Sequence, residues 1–104
     1  MKKHPVENAV QNLAAYEPLD EKTRALVWAH FPRDSVFSFD DLQACGEMIL
    51  EEQGLEVSHE SSVLMGARIF NWLLIHNRVI EESEKASWLD MRASLGDTHF
   101  LETL

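Results

Sequence analysis

The chain has 104 residues, of which 18 are Asp or Glu and 9 are Lys or Arg, so its formal net charge is −9. A hydrophobic fraction of 45% and this length are typical of one globular domain over residues 1–104, which excludes extensive disorder. The acidity also disfavours nucleic acid as a partner, because Lys and Arg side chains drive binding to phosphates. Composition therefore favours a protein partner.

Cysteine content and hydropathy predict the cellular setting. Cys45 is the single cysteine and has no second thiol with which to pair, which favours a reducing cytoplasm. Polar residues interrupt residues 6–16, where a signal peptide would have its apolar core. The longest apolar stretch, residues 63–75, is shorter than a membrane-spanning helix. We expect a cytoplasmic protein with no membrane contact.

Two helices are predicted in the N-terminal third of the chain. Apolar residues recur at helical spacing over residues 5–16, and this helix is expected to end before Pro18. Asp20 is the expected N-cap of a second helix, which Pro32 stops. A tight turn joins the two helices.

A third helix is predicted to open at an acidic capping box, with Ser38 as the cap and Asp41 as the residue that reaches back. Its periodicity places Cys45 on the inward face, where a thiol behaves as a small hydrophobic group. Gly54 is the expected left-handed residue at its end. Residues 55–57 alternate in polarity and indicate a very short strand.

A fourth helix, capped by Ser58 or Ser61, is expected to run to about His76. Beyond it, residues 78–91 are compatible with a β-hairpin, and residues 83–94 are also compatible with another helix. The order of elements is therefore three helices, a short strand, a long helix and a hairpin.

This order resembles winged-helix domains over residues 19–91, including small ones encoded by phages. The residues that carry the resemblance are Phe37-Ser38-Phe39-Asp40-Asp41-Leu42, the helix over residues 61–75, and Asn71-Trp72-Leu73-Leu74 followed by Asn77-Arg78-Val79-Ile80-Glu81. The expected fold class is mainly α with a small β-hairpin, winged-helix-like, with a four- or five-helix bundle as the alternative. The resemblance implies DNA binding through the fourth helix.

The charge distribution argues against that implication. Between Asp34 and Glu60 there are eight carboxylates and no Lys or Arg, and Arg68 is the only cation of the fourth helix. A DNA duplex would be repelled by such a surface, since phosphates need Lys and Arg partners. A winged-helix transcriptional regulator that binds DNA through a basic wing remains the alternative function.

The acidic run itself has two interpretations. Carboxylates on an exposed helix face keep a small domain soluble, and those near the helix start also favour its macrodipole. Alternatively, they form a docking surface for the basic groove of a protein partner, in the extreme case a groove that normally holds nucleic acid. We expect the second function, that of an inhibitor or adaptor of the kind phages and mobile elements encode against host proteins. The expected contact residues are Asp40, Asp41, Glu47, Glu51, Glu52 and Glu56.

The fourth helix is apolar nearly all round, so it is expected to be buried on two sides. Its second face is either covered by the N-terminal helix or residues 96–104, or it contacts a partner or a second copy in a homodimer. The residues of that face are Met65, Ile69, Trp72 and Ile75.

Catalytic and metal chemistry have little support in the sequence. The histidines are scattered without metal-ligand spacing, and no glycine-rich phosphate loop is present. The neighbouring His59, Ser61 and Ser62 are more typical of a helix cap than of a nucleophile with its base. We expect no enzyme activity, no metal and no cofactor.

Overall fold

The computed structural model describes residues 4–10, 12–31 and 37–75, which form four α-helices and one 3₁₀ turn. In chain order these are α1 (Pro5–Ala9), the 3₁₀ turn (Leu13–Tyr16), α2 (Glu21–His30), α3 (Phe39–Glu52) and α4 (His59–Ile75). The predicted mainly helical class is confirmed, and no β-strand occurs within these three ranges. The predicted hairpin over residues 78–91 and the alternative helix over residues 83–94 lie outside the described residues.

The predicted first helix is wrong in its extent, because α1 ends at Ala9 and the chain re-enters a 3₁₀ turn at Leu13. The side-chain oxygen of Asn12 accepts the Ala14 N–H at 3.0 Å. Asparagine competes with helical hydrogen bonding in this way, which explains the break. Leu13, one of the apolar residues of that pattern, is 81% exposed, so the pattern does not continue as one buried face.

The predicted caps of α2 and α4 are confirmed. Asp20 accepts the Thr23 N–H at 2.7 Å. Ser58 rather than Ser61 is the cap of α4: its hydroxyl accepts the Ser61 N–H at 3.0 Å, and the Ser61 hydroxyl accepts the Ser58 N–H at 2.8 Å. In both helices, the capping side chains accept hydrogen bonds from backbone N–H groups that have no partner within the first helical turn.

The end of α3 also follows the prediction. Gly54 has φ +70°, in the left-handed region, and its N–H donates to the Glu51 carbonyl, while the Leu55 N–H donates to the Leu50 carbonyl at 2.9 Å. These are the two hydrogen bonds of a Schellman motif. The predicted short strand over residues 55–57 is wrong, because the segment is an irregular connection between α3 and α4.

α3 and α4 approach each other closely through two glycines. A β-carbon at Gly46 would lie 2.8 Å from the backbone oxygen of Ser62, and one at Gly66 would lie 3.2 Å from the backbone oxygen of Leu42. Since real β-carbon contacts are longer than the first of these distances, Gly46 sets how closely the helices pack. This contact brings the inward face of α3 onto the central helix, α4.

α4 is enclosed by the other elements. From Ser62 to Leu73 every residue is buried except Leu64 and Arg68, which are partly buried. The Asn71 amide donates to the backbone oxygens of Val10 and Ala15, the latter at 3.0 Å, and so holds the 3₁₀ turn against α4. With α4 in the core, the helix surfaces that face solvent belong to α2 and α3.

Candidate functional site

The carboxylates predicted as contact residues lie along the outer side of α3 and in the connection that follows it. All six are exposed, and we call them the acidic face: Asp40, Asp41, Glu47, Glu51, Glu52 and Glu56. At about 100° per residue, Asp40, Glu47 and Glu51 fall within about 40° of one another on the helix surface. The buried side of α3, which faces α4, lies on the opposite side of the helix from these three carboxylates.

The N-terminal end of the acidic face is tied into the fold. The Asp41 carboxylate accepts the Ser38 N–H at 2.9 Å while the Ser38 hydroxyl accepts the Asp41 N–H at 3.2 Å, which completes the predicted capping box. The Asp40 carboxylate accepts a hydrogen bond from Nε2–H of His4 at 2.7 Å. Nδ1 of His4 accepts the Val6 N–H, so this imidazole links α1 to α3. Asp40 and Asp41 therefore contribute to the structure.

The C-terminal end of the acidic face has no such role. Within the described ranges, no Lys or Arg lies within ion-pair distance of Glu47, Glu51 or Glu52, and the one histidine at that distance from a carboxylate is His4, beside Asp40. The last turn of α3 contains no basic residue. A helix C-terminus carries a partial negative charge, and Glu47 and Glu51 are additionally one turn apart. Both effects make these carboxylates unfavourable for the stability of the helix.

Two apolar side chains beside this end are exposed. Leu55 is 54% exposed and Val57 is 38% exposed, and they flank the exposed Glu56 in the connection to α4. Sequence reasoning missed them as contact residues, because their alternation with Glu56 was interpreted as a short strand. The available signal was the position of Leu55 immediately after Gly54, where the helix has ended. They place apolar surface next to the acidic face.

The predicted apolar contact face of α4 is not a surface in this structure. Met65 and Trp72 are 6% and 8% exposed, and Ile69 is fully buried. Trp72 packs edge-on against Trp28 of α2, with ring centroids 4.9 Å apart. Ile75 belongs to α4, but its side chain lies outside the described residues. The chain itself therefore covers these three residues, and the contact on Trp72 comes from α2 and not from the N-terminal helix that the sequence suggested.

The described residues show no arrangement suited to nucleophilic or metal chemistry. Burial raises the pKa of the Cys45 thiol to about 12, so the thiol is neutral at physiological pH. The Ser62 hydroxyl donates to the backbone carbonyl of His59 and not to its imidazole. No group of three His, Cys, Asp or Glu side chains able to hold a metal ion occurs in the part of the chain that the structure describes.

In those same residues, no helix combines the length and apolar character needed to cross a membrane. Comparisons of the chain with protein-family models, with curated proteins and with solved structures found no match. Its function is therefore inferred from its own residues.

Proposed function

We propose that this chain is a protein-binding domain that docks its acidic face on a basic surface of another protein. The observation that carries the proposal is the position of Glu47, Glu51 and Glu52, which are exposed at the unfavourable end of α3 without a basic residue in its last turn. Glutamine has nearly the same helix propensity and would remove the repulsion. The stability of the helix therefore does not explain why carboxylates stand at these positions, whereas a cationic partner does.

The spacing of the charges supports a partner surface that normally holds nucleic acid. Five carboxylates of α3 fall between Asp40 and Glu52, a rise of about 18 Å at 1.5 Å per residue. The four intervals between them average about 4.5 Å along the helix axis, of the same order as the rise of about 3.4 Å per phosphate of each DNA strand. A row of Lys and Arg side chains that contacts one strand would meet a similar density of negative charge on α3.

Leu55 and Val57 supply the apolar part of this contact. Charges at the rim of an interface mainly accelerate encounter, and affinity depends more on buried apolar contacts. These two side chains are exposed beside Glu56 and thus adjoin the acidic face. They take the role that the sequence had suggested for Trp72.

The form of this function that we favour is an inhibitor or adaptor that occupies the basic surface and excludes nucleic acid from it. The small size of the chain, its acidity and its resemblance to small phage-encoded winged-helix domains support this form. The expected partner is a cytoplasmic protein with a basic surface.

Observations on α4 weigh against DNA binding through this helix, whereas the basic wing of the alternative function lies outside the described residues. The helix that would enter the major groove is buried over most of its length. Its cation, Arg68, donates to the backbone oxygen of Pro18 at 3.1 Å. A gel-shift experiment with random duplex DNA at low salt should give no complex, and a tight, salt-sensitive complex would overturn the proposal.

Affinity capture with a matched control tests the proposed docking. The full chain is immobilised and incubated with cell lysate, and the bound protein is identified. Duplex DNA is then added to compete with the chain for the bound protein. The Glu47→Lys/Glu51→Lys variant should lose capture, whereas Glu17→Lys/Glu21→Lys, with the same change in net charge on exposed residues outside α3, should retain it. DNA should displace the partner from the wild-type chain. Equal capture by both variants, or capture that DNA does not affect, would contradict docking of the acidic face on a nucleic-acid-binding surface.

A further inference from the structure

An open groove lies between α1 and the start of α4. Its volume is about 330 Å³, at the lower end of the range of ligand-binding pockets. Pro5 and Ala9 line it from α1, and Val63 and Leu64 line it from α4. The groove therefore has aliphatic walls on both sides.

The polar residues that line the groove are Asn12, His59 and Glu60, and Glu60 supplies its carboxylate. Glu60 lines it from the first turn of α4, and Asn12 lines it from the end of the α1 segment. Both residues are exposed, as is Pro5, while Ala9 and Leu64 are partly buried and Val63 is buried, so the carboxylate of Glu60 lies at the rim and the deeper part of the groove is aliphatic. An aliphatic channel with a carboxylate at its rim matches the side chains of Lys and Arg, which combine an apolar stem with a cationic head.

The groove is connected to α3 by two side-chain contacts, and the first of them reaches Asp40 at the N-terminal end of the acidic face. His4, which precedes the groove residue Pro5, is hydrogen-bonded to Asp40 at 2.7 Å. His59, which also lines the groove, lies 3.4 Å from the side-chain nitrogen of Gln43 on α3. A protein seated on the acidic face would therefore extend over the groove.

We propose that this groove binds one arginine or lysine side chain of the basic partner, with the stem between α1 and α4 and the cation on Glu60. The inference rests on the proposed function for the chemistry of the partner. It adds a specific pocket to what is otherwise an attraction between extended charged surfaces. Charge complementarity selects this occupant, since an apolar side chain would leave the Glu60 carboxylate without a counter-charge.

The test is a titration of the ¹⁵N-labelled full chain with the capped peptide Gly-Arg-Gly, followed by NMR. The peptide Gly-citrulline-Gly serves as the control, because citrulline keeps the shape of arginine and lacks its charge. Saturable shifts are expected at the amides of Ala9, Asn12 and Leu64. Binding of the citrulline peptide should be about fivefold weaker, the upper effect of one exposed ion pair.

Two variants separate this groove from the acidic face. Glu60→Gln should reduce the affinity for the arginine peptide to that for the citrulline peptide, and Glu17→Gln, which removes an exposed carboxylate outside both the groove and the acidic face, should leave it unchanged. Equal affinity for both peptides, shifts centred on α3, or an absence of saturable shifts would overturn the inference. The Glu47→Lys/Glu51→Lys variant should titrate like the wild type, so that failure of the acidic face in affinity capture is distinguishable from failure of the groove.

Discussion

Neutralising the acidic residues at the end of α3 should make the protein more stable. In the Glu51→Gln/Glu52→Gln variant, each substitution removes a negative charge from the last helical turn. Each removal should raise the free energy of unfolding by about 0.5 kcal/mol at low ionic strength. Loss of the repulsion between Glu47 and Glu51 adds about 0.3 kcal/mol. Helix propensity is almost unchanged. The sum of about 1 kcal/mol corresponds to an increase in Tm of about 5 °C for a domain of this size.

Thermal unfolding followed by circular dichroism measures this change. The increase in Tm should be largest in low-salt buffer and should shrink at high salt, because the charges are exposed and screened. The matched control is Asp41→Asn, the same type of substitution at the opposite end of the helix, where the carboxylate accepts the Ser38 N–H. That variant should be less stable than the wild type. An unchanged or lower Tm for the glutamine variant at low salt would refute the claim that these carboxylates oppose the stability of α3.

Three further predictions concern the fold. Gly46→Ala should lower the free energy of unfolding, measured with urea, by about 1 kcal/mol. A β-carbon 2.8 Å from the Ser62 oxygen requires a backbone shift, and its cost outweighs the gain in helix propensity. An unchanged or raised urea midpoint would contradict the close packing of α3 against α4. Cys45 should react with a thiol reagent only after unfolding, and rapid labelling of the folded chain would contradict the burial of the thiol. Because the pKa of Cys45 rises from 9.0 to about 12 on folding, the free energy of unfolding should fall as the pH is raised from 9.0 towards 12. The side-chain and backbone hydrogen bonds from Thr23 lower the pKa of Asp20 below its ordinary 3.8. The stabilising contribution of Asp20 should therefore be present above pH 3.8 and be lost as the pH falls through the lower pKa of the folded state. Asp20→Asn should remove this contribution from an acid titration followed by circular dichroism, and identical acid curves for the variant and the wild type would contradict the prediction.

Local hydrogen bonding made several features of the fold predictable. A cap acts within one helical turn, so Asp20, Ser38 and Gly54 could be identified from residues at most a few positions away. The break after α1 has an equally local cause, the side chain of Asn12, but the apolar periodicity of the surrounding residues outweighed it in the prediction. Local signals fail where two of them compete over the same few residues.

Contacts between distant elements were not predictable in this way. Gly46 and Gly66 appeared as isolated glycines, and their common role is visible only once α3 and α4 cross. The burial of Trp72 depends on Trp28, more than forty positions earlier in the chain. A helix that is apolar on all sides indicates two buried faces without showing whether the second is covered by the same chain or by another. The position of the acidic face was easier to predict, because uncompensated carboxylates are almost never buried.

The location of the charge supports a partner more strongly than its amount. A net charge of −9 would keep a small domain soluble wherever the carboxylates were placed. A distribution selected for stability alone would concentrate acidic residues in the first turn of α3 and basic residues in its last turn. The first turn follows this rule with Asp40 and Asp41, and the last turn violates it with Glu51 and Glu52. Because exposed Leu55 and Val57 adjoin the end that violates the rule, the unfavourable charges and these two exposed apolar side chains have a common explanation in a bound partner.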